Sequence, residues 1–452
     1  MGMDPSLLIQ MIGAAIGGAL LYTLIGVIPG TDETAVLAPI FLAFALLGME
    51  PRVLLCCFIS AIVAKKLTDS IPVAVAGIPG GVMAAPMAPH GVFLKSKGLP
   101  HVSIRKMASG SVIGTLVAIP FSLVLAKALT PLAPIVKAYV GPIFFVGTIF
   151  LALMTRERWI SLFAIIPFAM LIQGLQYLYR GLGAVPEGKS VFISFFLAIT
   201  IGPMILSMLE LLVSKTRKNL LRSGSKEISL APETPIKGFP NPFRILSKTE
   251  SLSAIGGSLI GSAAFFMSPC GMTVLIGEAF SSRIKDPIKR ACRAVSTMDA
   301  LTNATYISGT LVPLIALGIP LGGMALGPAR PLFEAPPMFT IDHNLHHILT
   351  YSDFAIATVI GAAIALMITY PIAIKYARRI SEFVFKHISH EALMSLFFAL
   401  VVMLAYRDTG VIGICGVFLV AIVGGMLNRW GVHLGIQFMI FYCSPWLVSH
   451  LV

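Results

Sequence analysis

Long apolar runs alternate with short polar or basic breaks from one end of the chain to the other. The run Leu7–Ile28 is long enough to cross the roughly 30 Å hydrocarbon layer of a bilayer. Further spans of the same kind are Met107–Leu129, Ala138–Met154, Trp159–Tyr179, Val191–Leu212, Leu252–Met267, Phe354–Ile374, Ala392–Tyr406, Gly410–Leu427 and His433–Val448. Thr34–Leu47, Val53–Pro79, Leu275–Phe280 and Ala294–Leu326 are also apolar, but glycine, proline or charge interrupts them. At about 20 residues per full span, the pattern predicts an all-α polytopic membrane protein with about 10–14 membrane segments, several of them broken or re-entrant.

One hydrophilic stretch divides this pattern. Lys215–Glu250 holds eight Lys/Arg against three acids, together with Pro232, Pro235, Pro240 and Pro242. It reads as a basic cytoplasmic connector, residues 213–250, between an N-terminal repeat (1–212) and a C-terminal repeat (251–452). Short motifs recur across it. Gly77-Ile78-Pro79-Gly80-Gly81 is answered by Gly318-Ile319-Pro320-Leu321-Gly322, and Pro29-Gly30-Thr31 by Pro269-Cys270-Gly271. Met83-Ala84 and Met324-Ala325 extend the first match. Three coincidences in near-constant register predict an internal duplication.

Charge orients the two copies. In the first half the loop between the motifs, Leu47–Val53, has only Glu50 and Arg52, and the loop after the second motif has Lys95, Lys97, Arg105 and Lys106 with no acid. The second half reverses this. Arg283, Lys285, Lys289, Arg290 and Arg293 lie between its motifs, whereas Glu334, Asp342 and Asp353 outweigh Arg330 after them. Because cytoplasmic loops collect Lys and Arg, corresponding loops are expected on opposite sides, which is an inverted-topology repeat with both termini external.

Composition then narrows the function. Hydrophobic residues make up 57% of the 452, charged residues only 12%, and mean hydropathy is +0.90. So little charge does not cover a soluble protein of this size, which excludes a soluble enzyme, a disordered chain and a nucleic-acid module. The net charge of +13 reads as cytoplasmic loops facing anionic lipid, with no nucleic-acid partner. The six cysteines have no paired C-x-x-C spacing, so neither a disulfide framework nor a zinc site is expected. Met1–Gln10 has no Lys or Arg, so the first apolar run reads as a retained helix rather than a signal peptide. No Walker loop, H-E-x-x-H motif or nucleophile elbow is present, and no enzyme activity, metal site or cofactor is expected.

Proline–glycine breaks inside a span free backbone groups that lipid does not satisfy. Such groups line a wet cavity: helix N-termini suit an anion, and unwound carbonyls suit a cation. The breaks at Pro29/Gly30, Pro79/Gly80, Pro269/Gly271 and Pro320/Gly322, with Thr31 and Gly81 beside them, are expected to frame a site near the midplane. These residues also carry a family resemblance. Gly26-Val27-Ile28-Pro29-Gly30, Gly77-Ile78-Pro79-Gly80-Gly81 and Leu311-Val312-Pro313-Leu314-Ile315-Ala316-Leu317-Gly318-Ile319-Pro320 resemble the large permease subunit of tripartite tricarboxylate transporters, and Asn303 resembles part of the Asn-rich stretch before the last motif. The resemblance runs from about Leu20 to Arg429. It implies a multi-pass permease of the bacterial inner membrane for di- or tricarboxylates, driven by Na⁺ or H⁺. Its implied partners are a small membrane subunit and a periplasmic solute-binding protein, and a homodimer is allowed for. Where that family carries a Gly- and Ser-rich stretch, this chain reads Ala64-Lys65-Lys66-Leu67-Thr68-Asp69-Ser70. That departure leaves room for a divergent stand-alone transporter or a channel for another solute. An intramembrane enzyme would need a clustered His/Asp/Glu site at one interface, and a pure scaffold would not need paired breaks.

The charged residues have two readings each. On a helix Asp69 shares a face with Lys65 or Lys66, so a lysine there meets a substrate carboxylate while Asp69 holds a proton, or the group is a structural pair or snorkels to an interface. Asp32 and Glu33 follow a break, where they bind a cation or, on the preferred reading, sit in a wet loop. Thr302, Asn303 and Thr305 either ligate sodium through oxygen or join helices by hydrogen bonds, and Asp299 is open in the same way. His343, His346 and His347 have metal-like spacing but lack a fourth ligand.

Overall fold

The computed structural model describes residues 4–28, 31, 33–75, 81–155, 157–185, 192–212, 238–266, 269–387 and 390–451. Among them there are helices, turns and isolated bridges but no strand, so the chain is an all-α polytopic membrane protein. The principal helices of the first half are α1 (Pro5–Gly26), α2 (Glu33–Leu46), α3 (Pro51–Thr68), α4 (Pro100–Leu129), α5 (Val140–Met154), α6 (Arg158–Gly181) and α7 (Phe192–Leu212). Those of the second are α8 (Lys248–Ala263), α9 (Pro269–Ser281), α10 (Pro287–Val312), α11 (Tyr351–His387), α12 (His390–Arg429) and α13 (Leu434–Leu451). Seven segments are long and apolar enough to cross a membrane: Pro5–Gly26, Pro100–Ile135, Arg158–Gly181, Pro287–Leu317, Tyr351–Ala377, Thr409–Arg429 and Leu434–Leu451. Shorter apolar helices add Val36–Leu46, Gly141–Leu153 and Ile201–Glu210. The two spans expected between residues 392 and 427 are two helices that meet at Gly410, whose φ of 69° and ψ of −149° break the helical path.

Local signals set the helix starts. Glu50 caps α3, its carboxylate accepting from the amides of Arg52 and Val53, and Pro51 occupies the first helical position. Asp286 and Pro287 start α10 in the same way. Ser247 and Glu250 form a capping box at α8, which therefore begins inside the stretch assigned to the connector.

Along the chain α1, α2 and α3 precede the long helix α4, and α8, α9 and α10 precede the long helix α11. The central packing crosses between halves. α3 packs on α1 of its own half and on α11 of the other, while α10 packs on α8 of its own half and on α4 of the other. A second group joins α13 with α5 and α6, and α7 with α12.

Past its exposed first turn α10 runs inside the protein, and every residue from Ala294 to Val312 is buried. That position explains its content of Ser296, Thr297, Asp299, Thr302, Asn303, Thr305, Ser308 and Thr310: their partners are protein rather than lipid. Gly110 and Gly114 of α4 let α10 approach. A Cβ at either would collide with the carbonyl of Ser296 or of Ala300. Hydroxyl pairs then join helices across the core, with Thr23–Thr369 at 2.8 Å, Ser109–Tyr370 at 2.8 Å and Ser122–Ser308 at 2.7 Å.

The loops meet in two sets. Arg52, between the first-half motifs, lies 3.6 Å from Asp353, after the second-half motifs. His90, after the first-half motifs, lies 2.7 Å from Glu278, and Glu278 also pairs with Arg290 at 2.9 Å, between the second-half motifs. Lys106 joins the same kind of contact, reaching Glu250 at 2.6 Å.

Candidate buried ionic site

The last turn of α3 carries Lys65 and Lys66, and Asp69 caps it. Neither lysine snorkels: Lys65 is 0% exposed and Lys66 1%. Bare ammonium groups at such depth are costly, so each has found an anion or a carbonyl. Lys66 pairs with Asp69 and with Glu33 Oε1 at 3.2 Å. Lys65 lies 3.7 Å from the same Glu33 oxygen and donates to the Thr31 carbonyl at 3.4 Å.

Glu33 corrects the sequence reading, which placed it in a wet loop. It is 3% exposed, at the start of α2, between the two lysines that compensate its charge. The chain between α1 and α2 is thus folded back onto the end of α3. Gly81 closes the same pocket from the second break. A Cβ there would stand 2.6 Å from Glu33 Oε1, 3.0 Å from the Thr31 carbonyl and 3.1 Å from Lys65 Nζ, so only glycine admits the backbone. Both breaks of the first half therefore deliver residues to one cluster.

α10 completes it from the other half. The Tyr306 ring centroid lies 5.6 Å from Lys66 Nζ. Asp299, two turns earlier, is fully buried, and its charged neighbours are Asp69 and Lys66. The Ser70 hydroxyl lies beside it, but neither carboxyl oxygen of Asp299 makes a hydrogen bond of normal geometry. Asp69 Oδ1 is in the same condition.

The other expected site residues are distributed differently. Asn303 faces α4, its Nδ2 donating to the Ser111 carbonyl (2.9 Å), Ser111 Oγ (2.8 Å) and Thr115 Oγ1 (2.7 Å). Thr302 donates to the Asp299 carbonyl at 2.9 Å, and Thr305 to that of Leu301 at 2.8 Å. Asn303 thus ties α10 to α4, whereas the Thr302 and Thr305 hydroxyls bond within α10 itself. The second-half break is present: α10 ends in a π-turn, Pro313–Leu317, followed by left-handed Gly318. Pro320 is buried, and Gly322 (φ 96°) packs on the Phe265 carbonyl and Phe266, beside the gap before α9. Pro269 and Gly271 lie in the first turn of α9. Pro29, Gly30, Asp32, Pro79 and Gly80 lie outside the described residues.

The two lysines belong to one half. At the repeat offset of 240, the places of Lys65, Lys66 and Asp69 are taken by Thr305, Tyr306 and Gly309. The histidine cluster serves local structure: His346 Nδ1 lies 3.0 Å from the Ile315 carbonyl, and His347 Nδ1 accepts from the Asn344 amide at 3.4 Å. Sequence reasoning missed the buried pair of Arg330 with Glu334, where Arg330 also lies 4.1 Å from the Tyr442 ring centroid. Their i,i+4 spacing was the available signal.

No curated protein and no solved structure matches the chain. A family model does, that of the tripartite tricarboxylate transporter TctA family, over residues 12–437. A match over nearly the whole length, on a polytopic all-α fold, makes this chain a member of the tripartite tricarboxylate transporter TctA family, a permease component of such transporters.

Proposed function

We propose that the chain moves small carboxylate anions, such as di- or tricarboxylates, across the bacterial inner membrane, coupled to a cation gradient. In this reading a small membrane subunit and a periplasmic solute-binding protein complete the system. The observation that carries it is the pair of buried lysines where both first-half breaks converge. Two ammonium groups beside Thr31, Gly81 and the start of α2, shared in this structure with Glu33 and Asp69, are the cationic partners that an incoming carboxylate would compete for in a place of low dielectric. Asn303, Pro269, Gly271, Pro320 and Gly322 then act from the walls, holding α10 and the second-half break in register.

The reading includes two inverted halves, residues 1–212 and 251–452, and the loop contacts support it. If the copies were parallel, corresponding loops would share a side. Instead the acid-balanced first-half loop at Arg52 meets the acidic second-half loop at Asp353, while His90 meets the basic loop at Arg290 through Glu278. The site would thus be exposed alternately as one half moves against the other.

Uptake of radiolabelled citrate into proteoliposomes tests this, with partner subunits present and Na⁺ or H⁺ gradients imposed. Saturable accumulation is expected for the wild type, with loss of citrate affinity in Lys65→Met and loss of turnover in Pro320→Leu. Unchanged uptake by both variants would remove the site from the pathway.

A further inference from the structure

The charged groups of the site do not balance. Glu33, Asp69 and Asp299 bring three carboxyls, and Lys65 and Lys66 bring two ammonium groups. The groups that face one another across α2, α3 and α10 are these five alone among the described residues. Glu33 faces both lysines, Asp69 faces both lysines and Glu33, and Asp299 faces Asp69 and Lys66. With every acid ionised, the pocket would hold one uncompensated negative charge away from water, at a cost of several kcal/mol.

The lysines are already committed, Lys66 to Asp69 and Glu33, and Lys65 to Glu33 and the Thr31 carbonyl. The surplus therefore falls on the Asp69–Asp299 side, where three carboxyl oxygens make no hydrogen bond of normal geometry, both of Asp299 and Oδ1 of Asp69, and only the Ser70 hydroxyl lies beside Asp299. Two carboxylates in one dry pocket favour taking up a single proton between them. Among the described residues no group of three His, Cys, Asp or Glu is placed to hold a metal ion, and a single proton is enough to balance the surplus. Nor is the device duplicated, since the second half has Thr305, Tyr306 and Gly309 at the places of Lys65, Lys66 and Asp69.

We propose that Asp69 and Asp299 bind one exchangeable proton between them, and that this proton is the coupling ion. A carboxylate oxygen forms an O–H bond with a proton from water on one side, and the same bond breaks when the pair faces the other side. No electron is transferred. With the proton bound, the five-group cluster is neutral, Lys66 being balanced by Glu33 and by the one charge left on the aspartate pair. A substrate carboxylate that meets Lys66 then enters a neutral rather than an anionic pocket, so anion and proton enter together. The coupling rests on the carboxylate-permease reading above; the proton site itself does not.

Two measurements on the lipid-reconstituted full chain separate these claims. Infrared difference spectra between acid and alkaline pH should contain the carbonyl-stretch band of a buried protonated carboxyl, which moves in D₂O. That band should vanish in Asp299→Asn and persist, displaced, in Asp299→Glu. With radiolabelled citrate and partner subunits, Asp299→Asn should lose accumulation above the external concentration under an acid-outside gradient while still exchanging internal for external citrate. A band unchanged in Asp299→Asn, or undiminished proton-driven accumulation by that variant, overturns the proposal. If the wild type moves no carboxylate while the band behaves as stated, the substrate reading fails and the proton site stands.

Discussion

At the scale of single residues, the account rests on charges that have no access to water. Lys66 touches Asp69, Glu33 and the face of Tyr306. Removing one partner from a buried ionic group strands the rest, at a cost of about 3–5 kcal/mol. Lys66→Met is therefore expected to lower the thermal unfolding temperature in detergent markedly. Lys66→Met/Asp69→Leu should recover part of the loss, because the stranded carboxylate leaves with the lysine. Equal melting of wild type and single variant would mean that the cluster is solvated in the native protein. Lys65, Lys66 and Asp69 were legible in the sequence as charges in an apolar run. Glu33 was not, since its partners stand 32 and 33 residues away and only the fold brings the loop back onto α3. Asn303 was legible as a polar residue within a span, but only the position of α4 shows which neighbours it serves.

Among the elements, α10 is the one on which the two halves meet. Its polarity looked like an interruption in the hydrophobic pattern, because hydropathy alone does not distinguish a helix surrounded by protein from one facing lipid. The close approach of its neighbours did have a sequence signal. Gly110 and Gly114 of α4, and Gly257 and Gly261 of α8, both have the four-residue spacing that lets helices touch through backbone. Gly114→Leu would force a side chain into the Ala300 carbonyl, and overpacking of this kind costs about 1–3 kcal/mol. We expect this variant to unfold at lower temperature and to lose uptake, since a displaced α10 carries Asp299 away from Asp69. A variant with wild-type melting and uptake would show that the α4–α10 contact is looser than described. Among the described residues the chain breaks near Pro320, where the sequence put a break, while the π-turn and the left-handed Gly318 that make it follow from packing.

For the whole molecule, the duplicated motifs point to two halves, and the alternating loop charge points to their inversion. Labelling tests that arrangement directly. In a Cys415→Ser background, Asp342→Cys should react with a membrane-impermeant maleimide in right-side-out vesicles, and Ser96→Cys only in inside-out vesicles. Reaction of both from one side would make the halves parallel. On the proposed inversion, one charged cluster drawn from both halves would bind a carboxylate and a proton in a single event and face either side in turn. The most direct test of this is citrate uptake by the complete system at matched electrical potential, under a proton gradient alone and under a sodium gradient alone. The account predicts saturable accumulation driven by protons and abolished by Asp299→Asn; accumulation driven by sodium alone and indifferent to that substitution would contradict it.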